Sequence, residues 1–288
     1  MSNYVIHTDS ACDMPLDILN EWGVRSTSLT FKFDGDETVY TDYSMNSKEF
    51  YDKLRAGGVA KTAAVNTESF IADFEKSLAE GNDVLYLGFS SGLSSTFNSG
   101  RLAAMQLAEK YPERKIIVVD TLMASAGGGL YVRIVLNKKE AGATIEEAAQ
   151  YAEDIKFKVS AWFTVDDLVY LKRGGRISPT TAFVGNMLGI KPVLHVDNEG
   201  HLVNVTKVRG RKSSIAALAD KYGALAEKLD TDEVFVSHGD CLSDAEELAS
   251  ILKTRYGATV SVITNVGTVI GAHSGPGTLA LFYLGKER

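Results

Sequence analysis

Five hydroxyl-bearing residues crowd into seven positions at Ser90, Ser91, Ser94, Ser95 and Thr96. They follow the apolar run DVLYLG, flank Gly92, and precede an apolar helical pattern, within the stretch 83–98 (DVLYLGFSSGLSSTFN). A strand that turns tightly into a helix brings unpaired backbone N–H groups and the positive end of a helix dipole to one point. Hydroxyls gathered there favour an anionic ligand. The same stretch contains GFSSG, which fits G-x-S-x-G between a strand and a helix, the setting of a hydrolase nucleophile at Ser90. Asp120 and His273 follow in the order Ser, Asp, His that such triads use. No HGGG-type oxyanion loop precedes it, and the hydroxyls from Ser94 to Thr96 are superfluous to a nucleophile but useful to an anion cradle. A serine esterase using Ser90 and a phosphate or small-metabolite sensor stand as alternatives to a plain binding role.

Three further groups have chemical potential. IGAHSGPG (270–277) sets His273 in a glycine-rich segment that reads as a loop, where backbone can approach a ligand and a neutral imidazole can donate one hydrogen bond. Two basic loops, LKRGGRIS with Arg173 and Arg176 and KVRGRK with Arg209 and Arg211, suit phosphate or a phosphate-bearing partner. Aromatic residues are not interleaved with them, which disfavours nucleic acid. Asp9, Ser10 and Asp13 close an apolar run near the N-terminus, where open α/β sheets bind ligands, although Asp13 also reads as a helix cap. Metal spacing is lacking: His238, Asp240 and Cys241 are close without zinc geometry, and His195 and His201 share only a hairpin.

These residues need rigid elements behind them. Apolar strands alternate with amphipathic helices from residue 4 to about 156, with strands at 4–7, 25–33, 83–88 and 115–119. That rhythm predicts a mostly parallel sheet flanked by helices. After residue 158 the pattern changes. A strand at 159–164, a helix over 180–188, a hairpin over 192–208 turning at Asn198–Gly200, and helices at 213–229 and 243–256 predict a mixed sheet with helices. The expected architecture is therefore two α/β domains, 1–158 and 159–288.

The 288 residues are 45% hydrophobic and 23% charged, which is ordinary for a globular chain. A net charge of −7 disfavours nucleic acid as a general partner. Cys12 and Cys241 have no CxxC spacing and read as reduced thiols. With no charged leader followed by an apolar run and no membrane-length apolar stretch, a cytoplasmic protein without stable membrane insertion is expected.

Seven segments in order resemble the DegV family: TDSACD (8–13), SSGLSST (90–96), VVDT (118–121), LKRGGRIS (171–178), KPVL (191–194), KVRGRK (207–212) and IGAHSGPG. The resemblance spans nearly the whole chain and extends to the fatty-acid-binding subunits of bacterial fatty acid kinase. It implies a bacterial lipid-binding protein of phospholipid metabolism with a long-chain fatty acid between its domains and no cofactor. By motif, Thr62, Ser94 and His273 would hold the carboxylate, with Ser95, Thr96, Gly271 and Ala272 as further ligand contacts. The chain itself would catalyse nothing. A separate ATP-dependent kinase would phosphorylate the carboxylate, met by Arg173, Arg176, Arg209 and Arg211. Two departures stand out: the family's T-S-Q-P-S reads Thr62-Ala63-Ala64-Val65-Asn66, and Ser95 replaces the glycine of S-G-L-S-G-T. Candidates for the wall of an acyl tunnel are Phe31, Phe33, Phe97, Phe163, Phe183 and Met187.

Overall fold

A computed structural model describes residues 3–178, 189–227 and 233–288. The helix expected over 180–188, with Phe183 and Met187, lies outside them, and the helix expected to reach 229 ends at Leu225, because Ala226 turns to extended backbone and bridges to Gly285. Four strands, β1 (Tyr4–Asp9), β2 (Arg25–Thr27), β6 (Asp83–Gly88) and β7 (Ile116–Asp120), form a parallel sheet in the order β2-β1-β6-β7. Parallel neighbours need crossover connections, and helices supply them. They include α1 (Leu16–Glu21), α3 (Thr67–Ala79) and α4 (Thr96–Lys110). Every residue of β6 is buried, as its unbroken apolar run requires of a strand covered on both faces.

A six-stranded mixed sheet follows, ordered β10-β9-β8-β13-β11-β12. Its strands are β8 (Val159–Thr164), β9 (Ile190–Val196), β10 (Leu202–Arg209), β11 (Val234–His238), β12 (Val260–Asn265) and β13 (Leu279–Leu284). The expected hairpin is β9 and β10, antiparallel with Leu202 opposite Val196. Helix α5 (Ala126–Glu140) packs against both sheets. Its buried Leu130 and Tyr131 belong to one core that takes in Ile6 and Leu85 of the first sheet and Phe235 and Phe282 of the second. The glycines that open α5 allow this approach: a β-carbon at Gly127 would strike the Phe282 ring, and one at Gly129 the Met14 side chain. Helices α2 (Ser47–Arg55), α6 (Ile145–Ile155), α7 (Val169–Arg173), α8 (Arg211–Leu225), α9 (Leu242–Tyr256) and α10 (Thr268–Ser274) complete the described elements.

Two expectations need correction. The alternating run 25–33 is not one strand. At Leu29 the backbone N–H bonds to Ser10 Oγ and the carbonyl accepts from Asp42 N, so the chain leaves the parallel ladder after Thr27. It enters a small antiparallel sheet of β3 (Thr30–Phe33), β4 (Tyr40–Thr41) and β5 (Ala60–Ala63), ordered β4-β3-β5. IGAHSGPG is not all loop either, since Thr268–Ser274 is helical and the loop starts at Gly275. The Asp42 carboxylate accepts from Thr268 Oγ1 at 2.6 Å and Val269 N at 2.9 Å. A distant acid thereby satisfies a first-turn donor that no local residue could cap.

Candidate functional site

A cavity of about 580 Å³ draws its wall from the small antiparallel sheet, through β5, and from the mixed sheet, through β8, β9, β10 and β13. Most of the wall is apolar: Leu29 and Phe89 from the first half, Ala161 and Phe163 on β8, Ala280 and Phe282 on β13, and Val269 on α10. Ala280 stands opposite Phe163 in the antiparallel pairing, and Phe282 opposite Ala161, so large and small side chains alternate across this wall. The polar residues of its lining include Thr62, Ser94, Ser95, Arg173, Arg176 and His273, with Lys61, Ser125, Ser274 and Thr278 beside them. A largely apolar hollow with a minority of hydrogen-bonding groups suits an amphiphile.

Each polar group is held by a different element. Thr62 sits on β5, where it pairs with Phe31 of β3. Its Oγ1 lies 2.8 Å from Nε2 of His273 on α10, although 211 residues separate the two. Ser94 ends the loop before α4, and its Oγ is 2.9 Å from Thr96 Oγ1. The α4 helix starts at Thr96, whose N–H donates to Ser94 Oγ at 3.2 Å, and Ser94 and the N-cap Ser95 both line the cavity at the dipole's positive end. Burial, and secondarily the Arg176 charge, lower the His273 pKa to about 4. The imidazole is therefore neutral near pH 7 and offers a hydrogen bond rather than a charge.

Of the other sequence candidates, Ser95 and Ala272 line the cavity, whereas Thr96 and Gly271 do not. Thr96 Oγ1 accepts from Val65 N, and a β-carbon at Gly271 would face Tyr51 and Phe50. Arg173 is exposed at the cavity wall. Arg176 is half-buried, its Nε donating to Leu93 O at 3.0 Å and its Nη1 to Gly174 O. Arg209 is exposed on β10, while Arg211 pairs with Asp244 at 2.9 Å. Phe163 is the described tunnel candidate that reaches the wall. Phe31 and Phe33 pack with Phe50, and Phe97 stacks on Tyr86. Sequence reasoning missed Gly174, Leu93, and Ala161 and Ala280 on the strands of the wall. Small apolar residues on strands carry no local signal of a cavity.

The nucleophile reading of Ser90 fails on geometry. Ser90 is fully buried and outside the cavity wall, and its Oγ donates to Gly200 O at 2.9 Å. The Asp120 carboxylate accepts from Ser91 N and Leu122 N, while His273 faces Thr62. No relay links the three. Among the described residues, no three His, Cys, Asp or Glu side chains gather as a metal site, and no helix is long and apolar enough to cross a membrane.

The DegV family model matches residues 3–286. The chain belongs to the DegV family. A DegV domain-containing protein of Clostridium perfringens is 40% identical over 289 residues, covering 100% of this chain and 99% of the relative. A protein of Thermotoga maritima named for fatty acid binding is 35% identical, covering 95% of each chain. Among solved structures, a DegV protein from Thermus thermophilus, described by its fatty acid binding, superposes with a TM-score of 0.86 at 30% identity. That match covers 99% of this chain and 100% of the other.

Proposed function

We propose that this DegV protein is a cytoplasmic carrier that buries a long-chain fatty acid and presents its carboxylate to a separate ATP-dependent kinase. The observation that carries the reading is one cavity whose walls are apolar and whose polar lining includes the Thr62–His273 pair, Ser94 and Ser95. Names of relatives at 30% identity or more agree with it. An acyl chain of some sixteen methylenes contributes on the order of 10 kcal/mol by burial before ordering costs. The carboxylate would replace the Thr62–His273 hydrogen bond, accepting from Thr62, Ser94 and the imidazole. Neutral donors hold the anion without protonating it, so its oxygen keeps the electron pair that must attack the terminal phosphorus of ATP. The nucleotide and its metal belong to the kinase. Exposed Arg173 and Arg209 would meet that partner.

The division at residue 158 forms part of the proposal, with 1–158 and 159–288 gripping the acyl chain from opposite sides. Palmitate should then slow amide exchange on both cavity walls, and protection of one wall alone would refute the division. The main test is extraction of the denatured protein and mass spectrometry of the extract. A long-chain fatty acid is expected. A polar phosphate ester, with thermal stabilisation by phosphate esters rather than oleate, would favour the sensor alternative. An empty protein indifferent to oleate would sink the carrier. Hydroxylamine trapping of acyl phosphate after adding a candidate kinase and ATP tests the second half.

A further inference from the structure

We propose that the turn Gly174–Arg176 is the seat of His273, a positioning element that aims its Nε2–H at the ligand and fixes its distance from Ser94. The inference rests on the carrier reading above. Gly174 ends α7 with ordinary right-handed backbone angles, φ −72° and ψ −9°, so the backbone does not demand glycine. The demand comes from the ring. A β-carbon at 174 would fall far inside van der Waals distance of Nδ1, and its three nearest atoms would all belong to the His273 imidazole. Nδ1 is buried there with no hydrogen-bond partner. An orphaned buried N–H is rarer and costlier than an under-used acceptor, which puts the single proton of the neutral ring on Nε2. Nε2 is the atom that reaches Thr62 Oγ1.

Arg176 supplies the second constraint. Its guanidinium bonds Gly174 O on the turn that seats the ring and Leu93 O beside Ser94. One side chain thereby ties the turn that seats the His273 ring to the loop that carries Ser94, and its charge beside the ring opposes formation of imidazolium. With its Nε and Nη1 donating to these two carbonyls, Arg176 acts through its neighbours, while Arg173 stays exposed.

Palmitate titration by calorimetry on the delipidated full chain, with long-range ¹H–¹⁵N spectra of the imidazoles, tests the seat. Gly174→Ala should weaken palmitate by about tenfold or more, the worth of a hydrogen bond to a charged group, and should shift the His273 nitrogen resonances. In a His273→Ala background the new methyl has no ring to strike, and Gly174→Ala should then add nothing. Arg176→Met should weaken binding and move the same resonances, with Arg176→Lys recovering part of the affinity through its remaining donor. Wild-type affinity with unmoved resonances in Gly174→Ala overturns the seat, as does an equal loss with and without the ring. A wild-type chain that ignores palmitate overturns the carrier instead. The ¹⁵N shifts of His273 then decide the seat alone, protonated Nδ1 being the result against it.

Discussion

Two polar regions of this molecule are built from the same residue types and come to opposite ends. Outside the cavity lining, Asp9, Asp13 and Asp42 are buried and each accepts from hydroxyl or amide groups of the chain, with one oxygen of Asp13 and one of Asp42 left over. Asp9 accepts from Tyr86 Oη at 2.8 Å, Phe89 N at 2.9 Å and Ala11 N at 3.2 Å. Asp13 accepts from Ser125 Oγ, and Asp42 holds the first turn of α10. Along the cavity wall, Thr62, Ser94 and His273 bond mainly to one another or to near neighbours and still face open space. Polar capacity consumed internally fixes the fold, and capacity turned to a cavity awaits a ligand. TDSACD and SSGLSST both place hydroxyls after a buried strand, so local sequence does not separate these outcomes.

Breaking the buried region should give the largest effect. Asp9→Ala leaves two backbone N–H groups and a phenol without an acceptor, and should lower stability by about 3–5 kcal/mol. Urea unfolding of the delipidated chain measures it, and a loss below about 1 kcal/mol would show that the buried acids are not what fixes the fold.

The cavity wall should respond the other way round. His273→Ala removes one hydrogen bond to a carboxylate, about 1.5–3 kcal/mol of affinity, or roughly ten- to a hundredfold in palmitate binding, with little change in the urea midpoint. Ser90→Ala should do the reverse, lowering stability by about 1–2 kcal/mol through the unpaired Gly200 carbonyl and leaving palmitate affinity near wild type. If both variants lost affinity and stability together, the two regions would not be separable.

Their titrations sharpen the contrast. Burial pushes the Asp9 carboxyl up to about 6 from 3.8, so the folded state holds that proton more tightly than the unfolded chain does. Its contribution to stability falls as pH rises from about 4 to about 6. His273 is lowered from 6.5 to about 4, so its contribution is complete above 6.5 and is lost as pH falls towards 4. Relative to wild type, Asp9→Asn should make stability rise more steeply with pH across this window, and His273→Ala should make it rise less. Matching changes of slope would contradict one of the two burial environments.

Much of the framework was legible because it is local. Continuous apolar runs mark β6 and β7, an Asn-Glu-Gly turn marks the β9–β10 hairpin, and Thr144 with Glu147 forms the capping box that opens α6. The triad of site residues came from motif resemblance, and the structure brings Thr62 and His273 within one hydrogen bond. What stayed hidden depends on distant partners. The break at Leu29 is enforced by Ser10 and Asp42, the α10 start by Asp42, and the need for glycine at 174 by a ring 99 positions away in sequence. Spacing rules see none of these contacts.

The smallest effect separates two arginines that look alike in KVRGRK. Arg211 is mostly buried, and its Nε donates to Asp244 at 2.9 Å while Nη2 approaches Cys241 Sγ at 3.4 Å. Arg209 is exposed on the edge strand β10. Arg211→Ala should therefore lower stability by about 1 kcal/mol, more than a fully solvated pair would. Arg209→Ala should stay within about 0.5 kcal/mol of wild type and leave palmitate affinity unchanged. If Arg209 meets the kinase, its loss should appear only as slower hydroxamate formation when kinase and ATP are added. Equal rates for Arg209→Ala and wild type would remove that arginine from the partner surface while leaving the lipid site untouched. A stability loss in Arg209→Ala matching that of Arg211→Ala would instead place both side chains in the fold, and the free cations facing a partner would have to be sought around Arg173.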